Sequence, residues 1–444
     1  MATFNSGQVK FGTPGSSNTD FHTRRLFDFS DRIAELAPEE SPFFVYLSKV
    51  GKVPTSDSQF RFLEDRTKVS ITDRSFLQKG GGTLPVPGST VNLTFDTSGG
   101  AAVGFLLKGM VIQFAQNKNT TGDTNEPLLQ GIGRIESVTQ NSSDTTCSVT
   151  AIQSVDGSST TLDDNGECVI IGTSYEQGSG APDVWSQELD NDYGYTQIFK
   201  TACEMSNTAR ATQYRGYADE WARLWNLKLR EHKVDIERAL LFGMRASQGG
   251  IQYSDGIVGH ILKNGTITDG SIGSYSEGNP YLGMMTTGEM DYDGLLGAFE
   301  VMYDPARGGS QSKLCLASLP VVSHFNKISG FAEGSMSSNL SNYNFERSTG
   351  SFGHKIMKIE TVHGDVSIVK EPLFRNNASG HMCFVDLDHV SYRPLTGNGV
   401  SRDTSITTNV QQAEEDLRKD MILTEAGLEV SLPETHALIN INQI

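Results

Sequence analysis

The sequence has few of the residues that covalent or metal cross-links require. Its 444 residues include only five cysteines, which lie far apart and form no C-x-x-C pair. Neither a disulfide scaffold nor a zinc site is therefore indicated, and we expect buried free thiols in a reducing compartment. Proline is also scarce, with 14 residues against 46 glycines, which favours turn-rich β structure over a helical bundle.

Positive charge is the second shortage. The chain has 36 Lys and Arg residues against 53 Asp and Glu residues, and its formal net charge is -17. Affinity for phosphate backbones depends on clustered cations, so this composition argues against a general nucleic-acid binder. No apolar run approaches the ~20 residues of a membrane-spanning helix, and the first residues lack the pattern of a secretory signal. We expect neither a membrane protein nor export by that route.

The common catalytic motifs are missing as well. The patterns G-x-x-x-x-G-K-[ST], G-x-S-x-G and H-E-x-x-H do not occur, and no G-x-G-x-x-G lies between a predicted strand and a predicted helix. The histidines are scattered, and the acidic residues around Asp163 and Asp164 lack the spacing of a calcium loop. We therefore predict no catalytic site, no cofactor and no metal.

The strongest pattern that is present is one long amphipathic stretch at 211–243, which follows a predicted strand at 195–203. Its apolar residues recur at helical spacing, so we predict a single long helix that covers two surfaces. The broad apolar face, which we predict to be the core of this helix, consists of Trp221, Leu224, Trp225, Leu229, Ile236 and Leu240.

Two further regions differ in character from the rest of the chain. Short β segments at regular intervals between 104 and 173 predict a small antiparallel barrel or sandwich. The segment 64–90 alternates charged and apolar residues and then breaks at glycines and prolines, which favours a long exposed hairpin or loop. The basic residues at its start and along it are Arg61, Arg66, Lys68, Arg74 and Lys79. By contrast, 151–199 holds nine acidic residues and no Lys or Arg.

These segments, in this order, resemble a known family. PEESPFFVYLSKV, QFRFLEDR, YTQIFKTACEMSNTARAT, IERALLFG, GDVSIVKEPLF, FVDLDHVSYRPL and TEAGLEVSLPETHALINI together are similar to the major capsid (major head) proteins of tailed bacteriophages, which have the Hong Kong 97-type fold. The resemblance implies an α+β subunit that self-assembles into an icosahedral shell around a double-stranded DNA genome. It also implies a non-enzymatic component of the virion, assembled in the host cytoplasm.

The resemblance further implies a division of the chain. The expected parts are an N-terminal arm with short helices (1–59), a first peripheral strand and extended loop (60–103), an inserted small β-domain (104–190), a return strand and spine helix of the peripheral domain (191–250), an axial domain (251–383), and peripheral return strands with the C-terminus (384–444). The arm and the loop cannot bury themselves, so we expect each to lie across a neighbouring subunit.

The expected partners are copies of the chain itself, as hexamers and pentamers, and then portal, scaffold and decoration proteins. DNA would be enclosed without sequence-specific binding, and no membrane is involved. The charge pattern suggests that the basic loop residues contact acidic residues of an adjacent copy, namely Asp183, Glu188, Asp190 and Asp192. Two alternatives stay open from the sequence: an encapsulin-like compartment shell, and a β-rich binding module built on 104–173.

Overall fold

The protein is described from a computed structural model, in which helices combine with mainly antiparallel sheets into an α+β fold. The structure describes residues 43, 44, 47, 52–65, 75–97, 100–116, 129–155, 157–186, 188–214, 219–269, 280–286, 292–305, 307–325, 345–349 and 355–442. No helix within these ranges combines the length and apolarity needed to cross a membrane.

A two-stranded ribbon leads the chain into and out of a barrel. Its strands are β1 (Gln59–Glu64) and β10 (Asp190–Tyr195), which pair antiparallel. The barrel between them closes in the order β2-β4-β7-β6-β5-β9. Its strands are β2 (Ser75–Lys79), β4 (Thr90–Asp96), β5 (Met110–Ala115), β6 (Leu129–Gln140), β7 (Thr145–Ser154) and β9 (Glu167–Thr173), and a small accessory pair consists of β3 (Gly82–Leu84) and β8 (Thr160–Leu162).

The barrel has a hydrophobic core of its own. Alternate residues of β5 are buried, as the two-residue period of a strand requires when one face is covered. Phe95 and Phe114 are fully buried, with ring centroids 6.3 Å apart, and the ring of Phe76 meets Phe95 edge-on at 5.1 Å. A barrel was expected between 104 and 190, but β2 and β4 also belong to it. Phe76, Leu84, Leu93 and Phe95, from a stretch that we expected in an exposed loop, therefore lie in this core.

A second, antiparallel sheet carries the long helix. Strand β11 (Gln197–Ser206) pairs with β25 (Leu417–Val430), which also pairs with β21 (Val390–Pro394) and β24 (Ser405–Thr407). The short helix α1 (Asn207–Ala211) follows β11, and the long helix α2 (Glu220–Phe242) comes next. The sequence predicted one helix from 211. Instead, the Asp219 side chain accepts hydrogen bonds from the backbone N–H groups of Trp221 and Ala222, so this cap begins a new helix.

After α2 come the hairpin β12 (Ala246–Gln248) and β13 (Ile251–Tyr253) and helix α3 (Ile257–Asn264). An eight-stranded mixed sheet then runs in the order β14-β15-β26-β20-β16-β19-β18-β17. Its strands are β14 (Thr266–Asp269), β15 (Tyr281–Thr286), β16 (Ser312–Ala317), β17 (Phe345–Thr349), β18 (Lys355–Glu360), β19 (Asp365–Lys370), β20 (His381–Val385) and β26 (Ala437–Asn442). The remaining elements are α4 (Tyr292–Met302), a helical turn at 319–325, the 3-10 turns Asn376–Ala378, Leu387–His389 and Pro433–Thr435, and the pair β22 (Thr396–Gly397) and β23 (Val400–Ser401).

Both faces of this mixed sheet are buried. On β16, Leu314 and Leu316 contribute to a core that includes α2 and α3, whereas Cys315 and Ala317 contribute to a core under α4. Because successive strand residues point to opposite faces, a strand covered on both sides must be continuously apolar. This explains the uninterrupted apolar run of β20. All five cysteines are buried and free, which confirms the expectation of buried thiols.

The structure divides the C-terminal part differently from the predicted boundaries. Strand β26 pairs with β15 and β20, so the end of the chain returns to the mixed sheet rather than to the sheet of β11. Strand β20 itself spans the predicted boundary at 383. The reason is geometric: β25 lies between β11 and β21 in the sheet that carries α2, and the turn at Pro433–Thr435 then connects it to β26. A period-2 pattern reveals a strand but not its partner.

Candidate assembly surface

Close packing and a hydrogen bond fix the position of the ribbon formed by β1 and β10. Phe60 is buried and lies opposite Gly194 in the register. A Cβ atom on Gly194 would lie 2.4 Å from the Phe60 ring, so glycine is required there. On the same ribbon face, the buried Glu64 accepts a hydrogen bond of 2.8 Å from the Leu432 backbone N–H. The ribbon thus has a defined direction relative to the rest of the subunit.

A charged contact also holds the ribbon. The Arg245 guanidinium donates to the Asp192 carboxylate at 2.6 Å and lies over the Tyr193 ring at 4.4 Å. Burial is the largest single influence on the pKa of Arg245 and lowers it. The hydrogen bond to Asp192 and the negative charge of that carboxylate together outweigh burial, so the pKa of Arg245 is raised. Arg245 therefore remains a cation that holds β10. The sequence offered no signal for this residue, because it follows the long helix and is remote in sequence from Asp192.

The outer face of the ribbon is apolar and exposed. Leu63 is 65% exposed, and Leu189, just before β10, is 48% exposed. Arg61 and Tyr193 are opposite each other in the register, and both are also exposed. Exposed leucines next to an arginine and a tyrosine resemble the composition of protein–protein contacts.

The predicted inter-subunit residues occupy different environments. Arg61 is exposed on β1, whereas Arg66, Lys68 and Arg74 lie outside the described residues. Lys79 ends barrel strand β2, and its ammonium lies 3.7 Å from Asp144 and 3.9 Å from Asp96 in the same chain.

The predicted acidic partners also differ from one another. Asp183, Glu188 and Asp190 are exposed, while Asp192 is paired with Arg245. Because β1 and β10 are neighbouring strands, the ribbon brings Arg61 and part of the acidic run together in one chain. The charges of Lys79 and Asp192 are compensated internally. Arg61, Asp183, Glu188 and Asp190 are candidates for contacts between copies because all four are exposed.

The helix α2 is buried unevenly along its length. Of the predicted core residues, Ile236 and Leu240 are fully buried in its C-terminal half. The four nearer its N-terminus, Trp221, Leu224, Trp225 and Leu229, are only half-buried. Arg418 and Arg210 flank the Trp221 ring, with guanidinium carbons 4.8 and 5.9 Å from its centroid. This first half therefore has a partly exposed aromatic surface beside cations.

Sequence patterns missed two polar residues in the buried half of α2. His232 and Glu237 are 2% and 0% exposed; His232 lies against β11 and β25, and Glu237 accepts from the Phe43 backbone N–H. The two ring nitrogens of His232 lie 2.9 Å from the Thr201 and Thr424 hydroxyls, on β11 and β25 respectively. A polar residue beside the apolar positions of a helix is the only sequence signal for such a contact, and the predicted core of this helix includes neither residue.

The described residues contain no group of three or more His, Cys, Asp or Glu side chains arranged to hold a metal ion. Around Asp164, where acidic residues cluster, the carboxylate instead accepts a 2.7 Å hydrogen bond from the Gly80 backbone N–H. The acidic cluster thus closes a turn of the barrel.

Comparison with known proteins identifies the chain. Comparison with curated protein sequences gives no match. The profile of the SU10 major capsid protein family, however, matches residues 8–442. The class is therefore that of a major capsid protein, the structural subunit of a virion shell. The chain belongs to the SU10 major capsid protein family. The prediction of a capsid shell protein is confirmed.

Similar solved structures also come from phage and related particles. The cyanophage A-1(L) capsid asymmetric unit matches with 11% identity and a TM-score of 0.47, covering 95% of this chain and 98% of that chain. A structure of Microbacterium phage Oxtober96 matches with 10% identity and a TM-score of 0.43, covering 94% and 96%. The capsid of a native GTA particle matches with 9% identity and a TM-score of 0.42, covering 97% and 98%.

Proposed function

We propose that this capsid protein builds an icosahedral shell around the double-stranded DNA genome of a tailed phage, with the Hong Kong 97-type arrangement of its domains. In this arrangement the ribbon of β1 and β10, with the barrel inserted in it, is the extended loop. Helix α2 is the spine of the peripheral domain, and the eight-stranded sheet forms most of the axial domain. The observation that carries the proposal is the ribbon. It is hydrogen-bonded to the rest of the subunit through Glu64, and it exposes the apolar side chain of Leu63.

The shell would contain hexamers and pentamers of this chain, assembled in the host cytoplasm. Each ribbon would lie on an adjacent copy, where burial of Leu63 and Leu189 offsets the entropy of ordering the loop. The net charge of -17 suits a container for DNA, because a lining that bound phosphate tightly would hinder packing and release of the genome. Portal, scaffold and decoration proteins complete the proposed set of partners.

Charge contributes to the contact between copies in this proposal. Arg61, with Arg66, Lys68 and Arg74, faces the acidic residues Asp183, Glu188 and Asp190 of a neighbour. Each exposed pair is worth only ~0–1 kcal/mol, so the effect arises from its repetition over many copies.

The test is charge reversal at Arg61. We expect Arg61→Glu to leave the unassembled chain folded, with an unchanged unfolding midpoint by circular dichroism, and to reduce the yield of closed particles in electron micrographs. Lys263→Glu, at an exposed position on α3, makes the same charge change outside the two ribbon strands and should assemble normally. Normal particles from the Arg61 variant would refute the charge contact, whereas the absence of closed DNA-filled shells from the wild type would refute the shell itself.

A further inference from the structure

Two glutamates from different parts of the subunit meet in the interior. Glu237 lies on α2 and is 0% exposed, and Glu371, just after β19, is 1% exposed. One oxygen of each carboxyl group accepts a backbone hydrogen bond. Oε1 of Glu237 accepts from the Phe43 N–H at 2.9 Å, and Oε1 of Glu371 accepts from the Leu373 N–H at 3.1 Å. The pair therefore connects the long helix, the turn after β19 and the N-terminal segment.

The second oxygen of each carboxyl group lacks such a hydrogen bond from the described residues. Within the described part of the chain, no hydrogen-bond donor reaches Oε2 of Glu237 or Oε2 of Glu371. The Glu371 carboxyl acts on the pKa of Glu237 both through its charge and as a hydrogen-bonding partner, so the two carboxyl groups are neighbours. Two ionised carboxylates in this position would repel each other and leave both buried oxygens unsatisfied. A single proton between them removes the repulsion and makes one group the donor to the other.

Among the described residues, no charged or titratable neighbour compensates the charge of the pair. On α2, Lys233 and Arg238 are exposed. Beyond Glu371, Arg375 is exposed and donates to the Pro372 carbonyl, and half-buried Lys370 precedes the pair; neither shifts the pKa of these groups. His381 on β20 is held neutral, because burial lowers its pKa.

Burial and the neighbouring carboxyl raise the pKa of Glu237 to about 10, against the opposing effect of the Phe43 and Phe44 N–H groups. Burial raises the pKa of Glu371 to about 7.

We propose that Glu237 and Glu371 share one proton. This proton keeps Phe43, Phe44 and Leu47 packed against helix α2, and its loss releases these three residues. Phe43 and Leu47 are fully buried in the core that contains Ile236 and Leu240. The Phe43 N–H donates to the same carboxyl that shares the proton. A second charge at the pair would be relieved by admitting water, and the residues that cover the pair must move for water to enter.

The pH direction follows from the raised pKa of both groups. An unfolded glutamate loses its proton near about pH 4.3, whereas the folded pair retains one well above that pH. The folded chain therefore binds more protons than the unfolded chain, and its stability falls as pH rises. The loss continues through about 7, where Glu371 ionises, to about 10, where Glu237 does.

The experiment compares the full-length unassembled chain with Glu237→Gln, whose amide can donate to Glu371 without titrating. We expect the wild type to show the infrared C=O band of a protonated carboxylic acid at neutral pH, and the variant to lack it. Hydrogen exchange of a peptide covering 43–47 should become faster in the wild type, relative to the variant at the same pH, by about tenfold per pH unit while the closed pair still holds the proton that the opened pair has lost. The difference should level off above the pH at which the closed pair ionises.

Glu231→Gln is the matched control, because it places the same substitution on an exposed position of the same helix, where Glu231 pairs with Lys228. It should keep both the acid band and the wild-type exchange profile. If Glu237→Gln does not fold, Glu371→Gln makes the complementary test, since its amide would donate to Glu237 and flatten the exchange profile. The same pH profile in wild type and variants, or no acid band in the wild type, would overturn the proposal.

Discussion

At the scale of single residues, His232 shows how polar contacts join the helix to the sheet. It lies on the buried side of α2, and its two ring nitrogens bridge Thr201 and Thr424 on adjacent strands. Burial lowers the pKa of His232, against a smaller opposing effect of Asp235, so the ring is neutral in the folded chain. One ring N–H donates to one hydroxyl, and the bare nitrogen accepts from the other, which specifies the register of helix on sheet.

Replacing His232 with Ala should lower the free energy of unfolding by ~2–4 kcal/mol, because it leaves a cavity and removes a hydrogen-bond partner from the buried Thr424 and the half-buried Thr201. Denaturant unfolding of the unassembled chain at neutral pH measures this loss. Lys233→Ala, at the exposed neighbouring position, should change stability by no more than ~0.5 kcal/mol. A similar effect of both substitutions would show that the bridge adds nothing.

The same residue predicts a response to acid. A histidine that is neutral when folded contributes fully above its unfolded pKa of about 6.5, and its contribution falls as pH decreases below that value. Between pH 7 and 5, the wild type should therefore lose stability more steeply than His232→Gln, which cannot be protonated. Parallel stability curves would contradict this. The Glu237 pair acts with the opposite sign, since its contribution to stability falls as pH rises. It is present in both proteins, so the comparison of the wild type with His232→Gln isolates the histidine.

At the scale of elements, helix α2 consists of a buried half and a half-exposed half. Ile236 and Leu240 lie in the core with Phe199 of β11, while Trp221 and Trp225 keep part of their rings accessible. A sequence wheel assigns all of these residues to one face. Only the position of the sheet decides which turns are covered, and the half-exposed turns are free to contact another copy.

This division gives different outcomes for equally apolar positions. Ile236→Ala should cost the unassembled chain ~2–5 kcal/mol, as expected for a fully buried side chain. Trp225→Ala should cost less, although it removes a larger side chain. If the Trp225 region lies under a neighbouring copy, this variant should fold yet give fewer closed particles. Denaturation of the monomer and electron microscopy of the particles separate the two effects, and a greater monomer loss for Trp225→Ala would contradict this division.

At the scale of the whole molecule, the barrel has a core separate from the other two. Its buried residues, including Phe76, Phe95 and Ile135, form one cluster, whereas α2 and α4 belong to the others. Six strands closed upon themselves leave no unpaired sheet edge. An insertion of this kind satisfies its hydrogen bonds internally and depends little on the rest of the chain.

We therefore expect a fragment of residues 72–176 to fold by itself. It should give a β-type circular dichroism spectrum, dispersed amide resonances and cooperative unfolding. A fragment starting at 104, as the predicted boundary would have it, lacks β2 and β4 and should aggregate or stay unfolded. Equal behaviour of the two fragments would show that the first strands are dispensable to the barrel.

The sequence alone determined what local pattern can encode. It predicted β structure in the barrel region, a long helix near α2, the buried cysteines and the shell function, because periodicity, composition and family-like segments are all readable along the chain. Only the tertiary structure decided which strands pair: β2 and β4 with the barrel, and β26 with the mixed sheet. It alone also revealed His232, Glu237 and Arg245 as contact residues. Pairing across hundreds of residues depends on burial and register, which a one-dimensional pattern does not contain.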